Sequence, residues 1–223
     1  MKPFYEYSKK TQWLIVIITF LLASTLTYFW MELLLESMWW AFSIFFLAPF
    51  MQFLMTPLFT KIGLYQYLSP MLLVYSPSDK RYDLHNGTSF DYLLNLRKHK
   101  AGSQVKHQLL KYYMQGLLKV IDKIEQQVLP ETVLVRGSSY FFSDRTAKRL
   151  GFDLKETGKN EKLNILLNYL DLFWMYSLAH GRWRYPNLKS IKTAEISGGD
   201  LVKQKEKIKQ LLQYFNKKQN EPA

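Results

Sequence analysis

Three short stretches carry the residue types that hold anions or move protons: Asn86-Gly87-Thr88-Ser89, Arg136-Gly137-Ser138-Ser139 and Ser197-Gly198-Gly199. Each sets small hydrogen-bonding residues ahead of a segment that can start a helix, where free backbone N–H groups favour negative charge. Asn86, Arg136, Ser138, Ser197 and Gly198 are therefore the candidate anion-binding residues, and Arg136 offers a planar two-pronged donor to phosphate or carboxylate. If the chain is an enzyme, His85 and Asp91 are the groups placed beside them to transfer a proton. Capping accounts for the same residues without a ligand, since Ser, Thr, Asn and Gly are what helix starts require. A ligand site needs the turns at Asn86, Arg136 and Ser197 to converge, and capping does not.

Other chemistries lack their residues. The chain has no cysteine, which removes disulfides, thiolate catalysis and cysteine-bound zinc or iron–sulfur clusters. His85, His99, His107 and His180 are the only imidazoles, and their spacing makes no HExxH zinc pattern. No GxGxxG, GxxxxGK[ST] or GxSxG occurs, so dinucleotide binding, Walker-type hydrolysis and α/β-hydrolase chemistry lose their usual support. The expectation is no metal and no cofactor.

The elements that would position these groups begin with two apolar runs. Thr11 to Met31 and Ser37 to Thr60 contain no charged residue, and each is long enough to cross a hydrocarbon core of about 30 Å. The opening run is too long for a signal peptide and is followed at once by the second. Glu32 and Glu36 lie between the runs, while Lys2, Lys9 and Lys10 precede them and Lys61, Lys80 and Arg81 follow. That bias puts both termini on the cytoplasmic side of a cell inner membrane. Trp13, Trp30, Trp39 and Trp40 fall near the expected span ends, where amphipathic rings suit the headgroup layer. Pro49 and Pro57 interrupt the second run and predict a kink or an early end.

Beyond the runs the pattern alternates β and α. Met71 to Tyr75 and the β-branched Thr132 to Val135, bounded by Pro130 and Gly137, read as strands. Val105 to Gln127 repeats apolar residues at helical spacing, and Leu163 to Leu178 reads as one helix interrupted by Asn164, Asn168 and Asp171. Asp171 makes a third membrane span costly, so that helix is expected in the core or lying on the bilayer beside Trp174 and Trp183. Phe152 and Leu154, then Ser190 to Ile196, supply further strands before a helix from Asp200 to Phe215. The fold class expected is α/β: a two-helix transmembrane hairpin (residues 1–60), an interfacial linker with a first strand (61–79), a cytosolic α/β domain with a short, mostly parallel sheet (80–215) and a flexible tail (216–223).

The formal net charge is +12. The three basic and three acidic residues before Lys61 cancel, so the excess lies wholly in the segment tethered to the membrane. The nearest polyanion is an anionic phospholipid leaflet, and Arg182-Trp183-Arg184 suits it, with one ring for the headgroup zone between two charges for phosphates. Nucleic acid would feel the same field, but no helix-turn-helix, RRM or KH signature accompanies it. The function expected is a membrane-anchored, non-catalytic subunit or interaction module that associates with another membrane protein or with itself. The alternative is an inner-leaflet enzyme acting on a phosphate-bearing or lipid-linked substrate.

Overall fold

The computed structural model describes residues 2–138, 144–188 and 191–220. Its first helix, α1, spans Lys9–Glu36, and the Ser8 hydroxyl caps it by accepting from the Thr11 N–H at 3.2 Å. Helix α1 is apolar on every side. Its Thr19, Thr25 and Thr27 hydroxyls each donate to the carbonyl four residues back at 2.9 Å, which satisfies them within the helix. A 3-10 turn, Met38–Ser43, leads into α2, Ile44–Lys61, which contains Pro49 and Pro57. Both segments are long and apolar enough to cross a membrane, with only 11% and 17% of their apolar windows buried. A core helix of a water-soluble protein would be covered on most of its surface.

Six strands form one sheet: β1 (Tyr65–Ser69), β2 (Leu72–Tyr75), β3 (Arg81–Asn86), β4 (Leu134–Ser138), β5 (Asp153–Glu156) and β6 (Lys192–Ser197), in spatial order β1-β2-β3-β4-β6-β5. The sheet is mixed, which corrects the expectation of a mostly parallel one: β3 and β4 are parallel, and every other neighbouring pair is antiparallel. Connection length explains the difference on the β1-β2-β3 side of the sheet. The links from β1 to β2 and from β2 to β3 are too short for a crossover, whereas α3 (Ser89–Asn95) and α4 (Ser103–Glu125) supply one between β3 and β4.

The remaining helices are α5 (Asp144–Arg149), α6 (Lys159–Leu167), α7 (Tyr169–His180), α8 (Gly198–Lys203) and α9 (Lys205–Asn220). The single helices expected at Leu163–Leu178 and Asp200–Phe215 are thus each divided, at Asn168 and at Gln204. The stretch expected as a linker with a first strand holds two strands, β1 and β2, and α9 runs on to Asn220, into the expected tail.

Helix α4 builds the main core. Val105, Leu109, Leu117, Val120 and Ile121 are buried on its inner side against Leu72 and Val74 of β2, Val135 of β4 and Ile196 of β6. Closest approach comes at Gly116, where a Cβ would lie 2.5 Å from Leu72 Cδ2. The opposite sheet face is covered differently, by α2, α6 and α7.

Candidate functional site

Between that second face and α2, α6 and α7 lies a cleft of about 560 Å³. Strand alternation decides what floors it. In β3, Tyr82 and Leu84 pack into the α4 core, so Arg81, Asp83 and His85 point the other way. Arg136 of β4 and Thr193 of β6 join them. Met51, Gln52, Met55 and Phe59 of α2 form one wall, and Glu161, Asn164 and Ile165 of α6, Asn168 between the helices, and Asp171, Leu172 and Met175 of α7 form another. A membrane-competent helix and a charged sheet face therefore enclose the same space.

The floor has two zones. Toward β1 it is aromatic: Tyr65 stacks on Tyr75 at 4.5 Å between centroids, and Tyr75 stacks on His85 at 3.9 Å. Gln52 of α2 donates to the Tyr75 hydroxyl at 3.4 Å. Burial pushes the His85 imidazole down to about 4, with Asp83 opposing and Arg136 reinforcing, so the ring is neutral at pH 7. Toward β5 the floor is a row of alternating charges. Arg81 Nη2 lies 2.7 Å from Asp83 Oδ2, Arg136 Nε lies 3.0 Å from Asp83 Oδ1, and Lys155 Nζ lies 2.5 Å from Glu195 Oε2. Arg136 also pairs with Glu161 from α6 and reaches toward Glu195 at 3.9 Å. Asp83 Oδ1 is buried, and its contact with Arg136 Nε is an ion pair whose N–H is not aligned as a hydrogen bond.

The candidate residues separate accordingly. His85, Asn86 and Arg136 border the cleft. Asn86 is held by internal bonds, accepting from the Tyr113 hydroxyl at 2.6 Å and donating to the Tyr92 hydroxyl at 3.1 Å. Arg136 is surrounded by carboxylates rather than presented free to an anion. Asp91 lies elsewhere, fully buried in the capping box of α3. It accepts from the Thr88 N–H and from the Tyr67 hydroxyl at 2.9 Å each, and burial raises its carboxyl to about 7 against those hydrogen bonds. His85 and Asp91 therefore do not share the cleft.

Ser197 pairs with Leu134, at the start of β4, because β6 runs antiparallel. Its turn lies at the opposite end of the sheet from Asn86. There the Ser197 hydroxyl caps α8 by accepting from the Asp200 N–H at 3.1 Å, and the Gly198 N–H donates to the Val133 carbonyl at 2.8 Å. Ser138 ends β4 opposite Thr193. Ser139, the remainder of that expected turn, lies outside the described residues. Arg182, Trp183 and Arg184 follow α7 on the surface, where Trp183 stacks on Phe173 at 5.4 Å and Arg184 Cζ sits 6.0 Å over the Tyr176 ring.

Asp83, one of the acids that the sequence offers as a general base, lies in the cleft, whereas Glu161, Thr193 and the α2 wall are the parts that sequence reasoning did not single out. One signal was present: Asn164, Asn168 and Asp171 recur at helical spacing in an otherwise apolar segment, so they share a face. Asp171 is buried, and that burial raises its carboxyl to about 6 while hydrogen bonds from Ser89 oppose the rise. Among the described residues no group of three or more acids and histidines is arranged to hold a metal ion. Comparison with protein-family models, with curated proteins and with solved structures finds no match to this chain.

Proposed function

We propose that this protein is a membrane-anchored, non-catalytic binding module, in which α1 and α2 cross the membrane as a hairpin and the α/β domain takes an amphipathic ligand from the cytoplasmic leaflet into the cleft. The carrying observation is the shared wall: Met51, Gln52, Met55 and Phe59 of α2 line the same space as Asp83, Arg136 and Glu161. A ligand standing there would put its apolar part against the methionines and its polar head on the charged floor. Arg81 and Arg136 are balanced by Asp83 and Glu161, so a bare anion gains little from them. A zwitterionic or hydroxyl-rich head, with donors for Asp83 and acceptors for Asn164 and Asn168, fits the floor better.

The test is lipid retention by the full chain purified in mild detergent, read by mass spectrometry of the extracted lipids. Met55→Trp should fill the apolar end and reduce retained lipid more than tenfold while the far-ultraviolet spectrum stays unchanged. Equal retention by this variant and the parent would overturn the reading. Topology has its own test, which the absence of cysteine makes clean. An impermeant maleimide should label Ser37→Cys from outside intact cells and reach Lys217→Cys only after the membrane is opened. Labelling of both from one side would exclude a two-span hairpin with cytoplasmic termini.

One observation favours an enzyme instead. Asp171, with a carboxyl raised to about 6, lines the same cleft as neutral His85, and a group titrating near neutrality can give and take a proton. Turnover of a phosphate-bearing or lipid-linked substrate that disappears in Asp171→Asn, with ligand retention intact, would select this alternative.

A further inference from the structure

Helices α6 and α7 expose apolar side chains on the face turned away from the cleft. Their inner face, turned to the cleft, mixes Glu161, Asn164, Asn168 and Asp171 with Ile165, Leu172 and Met175. Their outer face carries Leu163, Leu166, Leu170 and Trp174, which are 57%, 45%, 37% and 36% exposed. A helix lying against water would show the opposite arrangement. Both α6 and α7 pack against α2, and so does α3, whose Leu93 is also exposed. The apolar outer surface is thus continuous with the base of the hairpin.

Helix lengths point the same way. The lower part of α2 is committed to the domain: Met51, Gln52, Met55 and Phe59 line the cleft, and Thr56, 0% exposed, is hydrogen-bonded to Thr88 at 3.0 Å. The start of α1 is also engaged, since Val16 packs with Phe4 and Phe90. What remains of the second segment above the domain is Ile44 to Phe50, about 10 Å of α-helix, and the 3-10 turn, about 12 Å more. A hydrocarbon core is about 30 Å thick. For that segment to cross, the domain must sink several ångströms into the leaflet, and the side that sinks is the one carrying α3, α6 and α7.

We infer that the outer face of α6 and α7 is a membrane-contacting surface, seated in the headgroup and upper acyl layer of the leaflet that the hairpin enters. Lys162 at its near end and Arg182 and Arg184 at its far end are exposed and can reach lipid phosphates, while Trp183, 80% exposed, and Tyr185 extend the aromatic edge. The occupant is lipid rather than a second protein because the surface adjoins a hairpin that itself belongs in lipid, and because cations flank it. This inference rests on the hairpin crossing the membrane and is independent of what fills the cleft.

The test uses the cysteine-free full chain with single nitroxide labels at Leu166→Cys, Leu170→Cys and, as an aqueous control, Gln213→Cys on α9, which packs on α4 across the sheet. The protein is reconstituted in phosphatidylcholine and phosphatidylglycerol vesicles. Labels at 166 and 170 should be at least threefold more accessible to oxygen, relative to a water-soluble nickel complex, than the label at 213. Equal ratios at all three positions would overturn the inference, as would shielding of 166 and 170 from both quenchers, the mark of a protein contact. Flotation of the chain with the vesicles separates the failures: a floating protein with aqueous labels refutes the surface, and a protein that does not float refutes the hairpin beneath it.

Discussion

Arg136→Ala should lower the unfolding free energy by about 2–3 kcal/mol at pH 7. Arg136 holds Asp83 of β3, Glu161 of α6 and, at longer range, Glu195 of β6. Removing it leaves these carboxylates crowded on one half-buried sheet face. Breaking a fully buried pair costs about 3–5 kcal/mol, and the 22% exposure of the Arg136 side chain calls for a smaller figure because solvent screens part of the repulsion. Arg136→Lys should keep most of the charge compensation but lose the fork between β3 and α6, for a deficit of about 1 kcal/mol. Denaturant titration of the full chain in detergent at pH 7 checks the set, and equal deficits for Arg136→Ala and Arg136→Lys would mean that charge compensation contributes nothing.

The second large effect lies on the other face of the sheet. Gly116→Leu should destabilise the domain by about 3 kcal/mol or more, because overpacking a core without slack typically costs 1–3 kcal/mol and this site lacks room even for one carbon. A Cβ there would meet Leu72 Cδ2 at 2.5 Å and Leu72 Cβ at 3.1 Å. Both atoms belong to one buried side chain, so the conflict is specific. Leu72→Ala alone should cost about 2–4 kcal/mol through the cavity it leaves. Combined with Gly116→Leu it should cost at least 1 kcal/mol less than the sum, since the new side chain fills the space vacated. Strict additivity in the double-mutant cycle would show that helix and strand do not meet at this point.

These two positions also show what a sequence can reveal. The α4 side was legible because Val105, Leu109, Leu117 and Ile121 repeat with the helical period and are all buried. The strand at β4 was legible in part: the β-branched run after Pro130 marks it, but it spans Leu134–Ser138, so Gly137 and Ser138, expected in a turn, belong to the strand. Strand β3 was not, since Arg81, Asp83 and His85 face the cleft and give that strand the polarity of a loop. Strand β1 carried aromatic residues that suit a headgroup layer equally well. Pairing direction stayed hidden because local periodicity does not encode which strand lies beside which.

The candidate site divided for the same reason. Convergence of the turns at Asn86, Arg136 and Ser197 presumes strands pointing one way, and antiparallel β6 carries Ser197 to the far end of the sheet. Asp91 was visible as an acid three residues after Thr88, but that spacing is also a capping box, and this is the role it fills here. The acids that do flank Arg136 come from β3, α6 and β6, which no local motif connects.

The position of β6 has a consequence for a chain emerging from the ribosome. It lies between β4 and β5, although it is made after both. The interval from Glu156 to Lys192 takes about 2–7 s to synthesise, and throughout it β5 has no neighbouring strand while one edge of β4 stands open. The hairpin and the β1-β2-β3 meander are complete by then, already held where translation began. Closure of the sheet is therefore an insertion rather than an addition at its rim: the last strand enters a prepared slot and joins two edges at once. A nascent chain halted before Lys192 loses more sheet than the missing residues contain, because β5, though fully synthesised, has nothing to pair with.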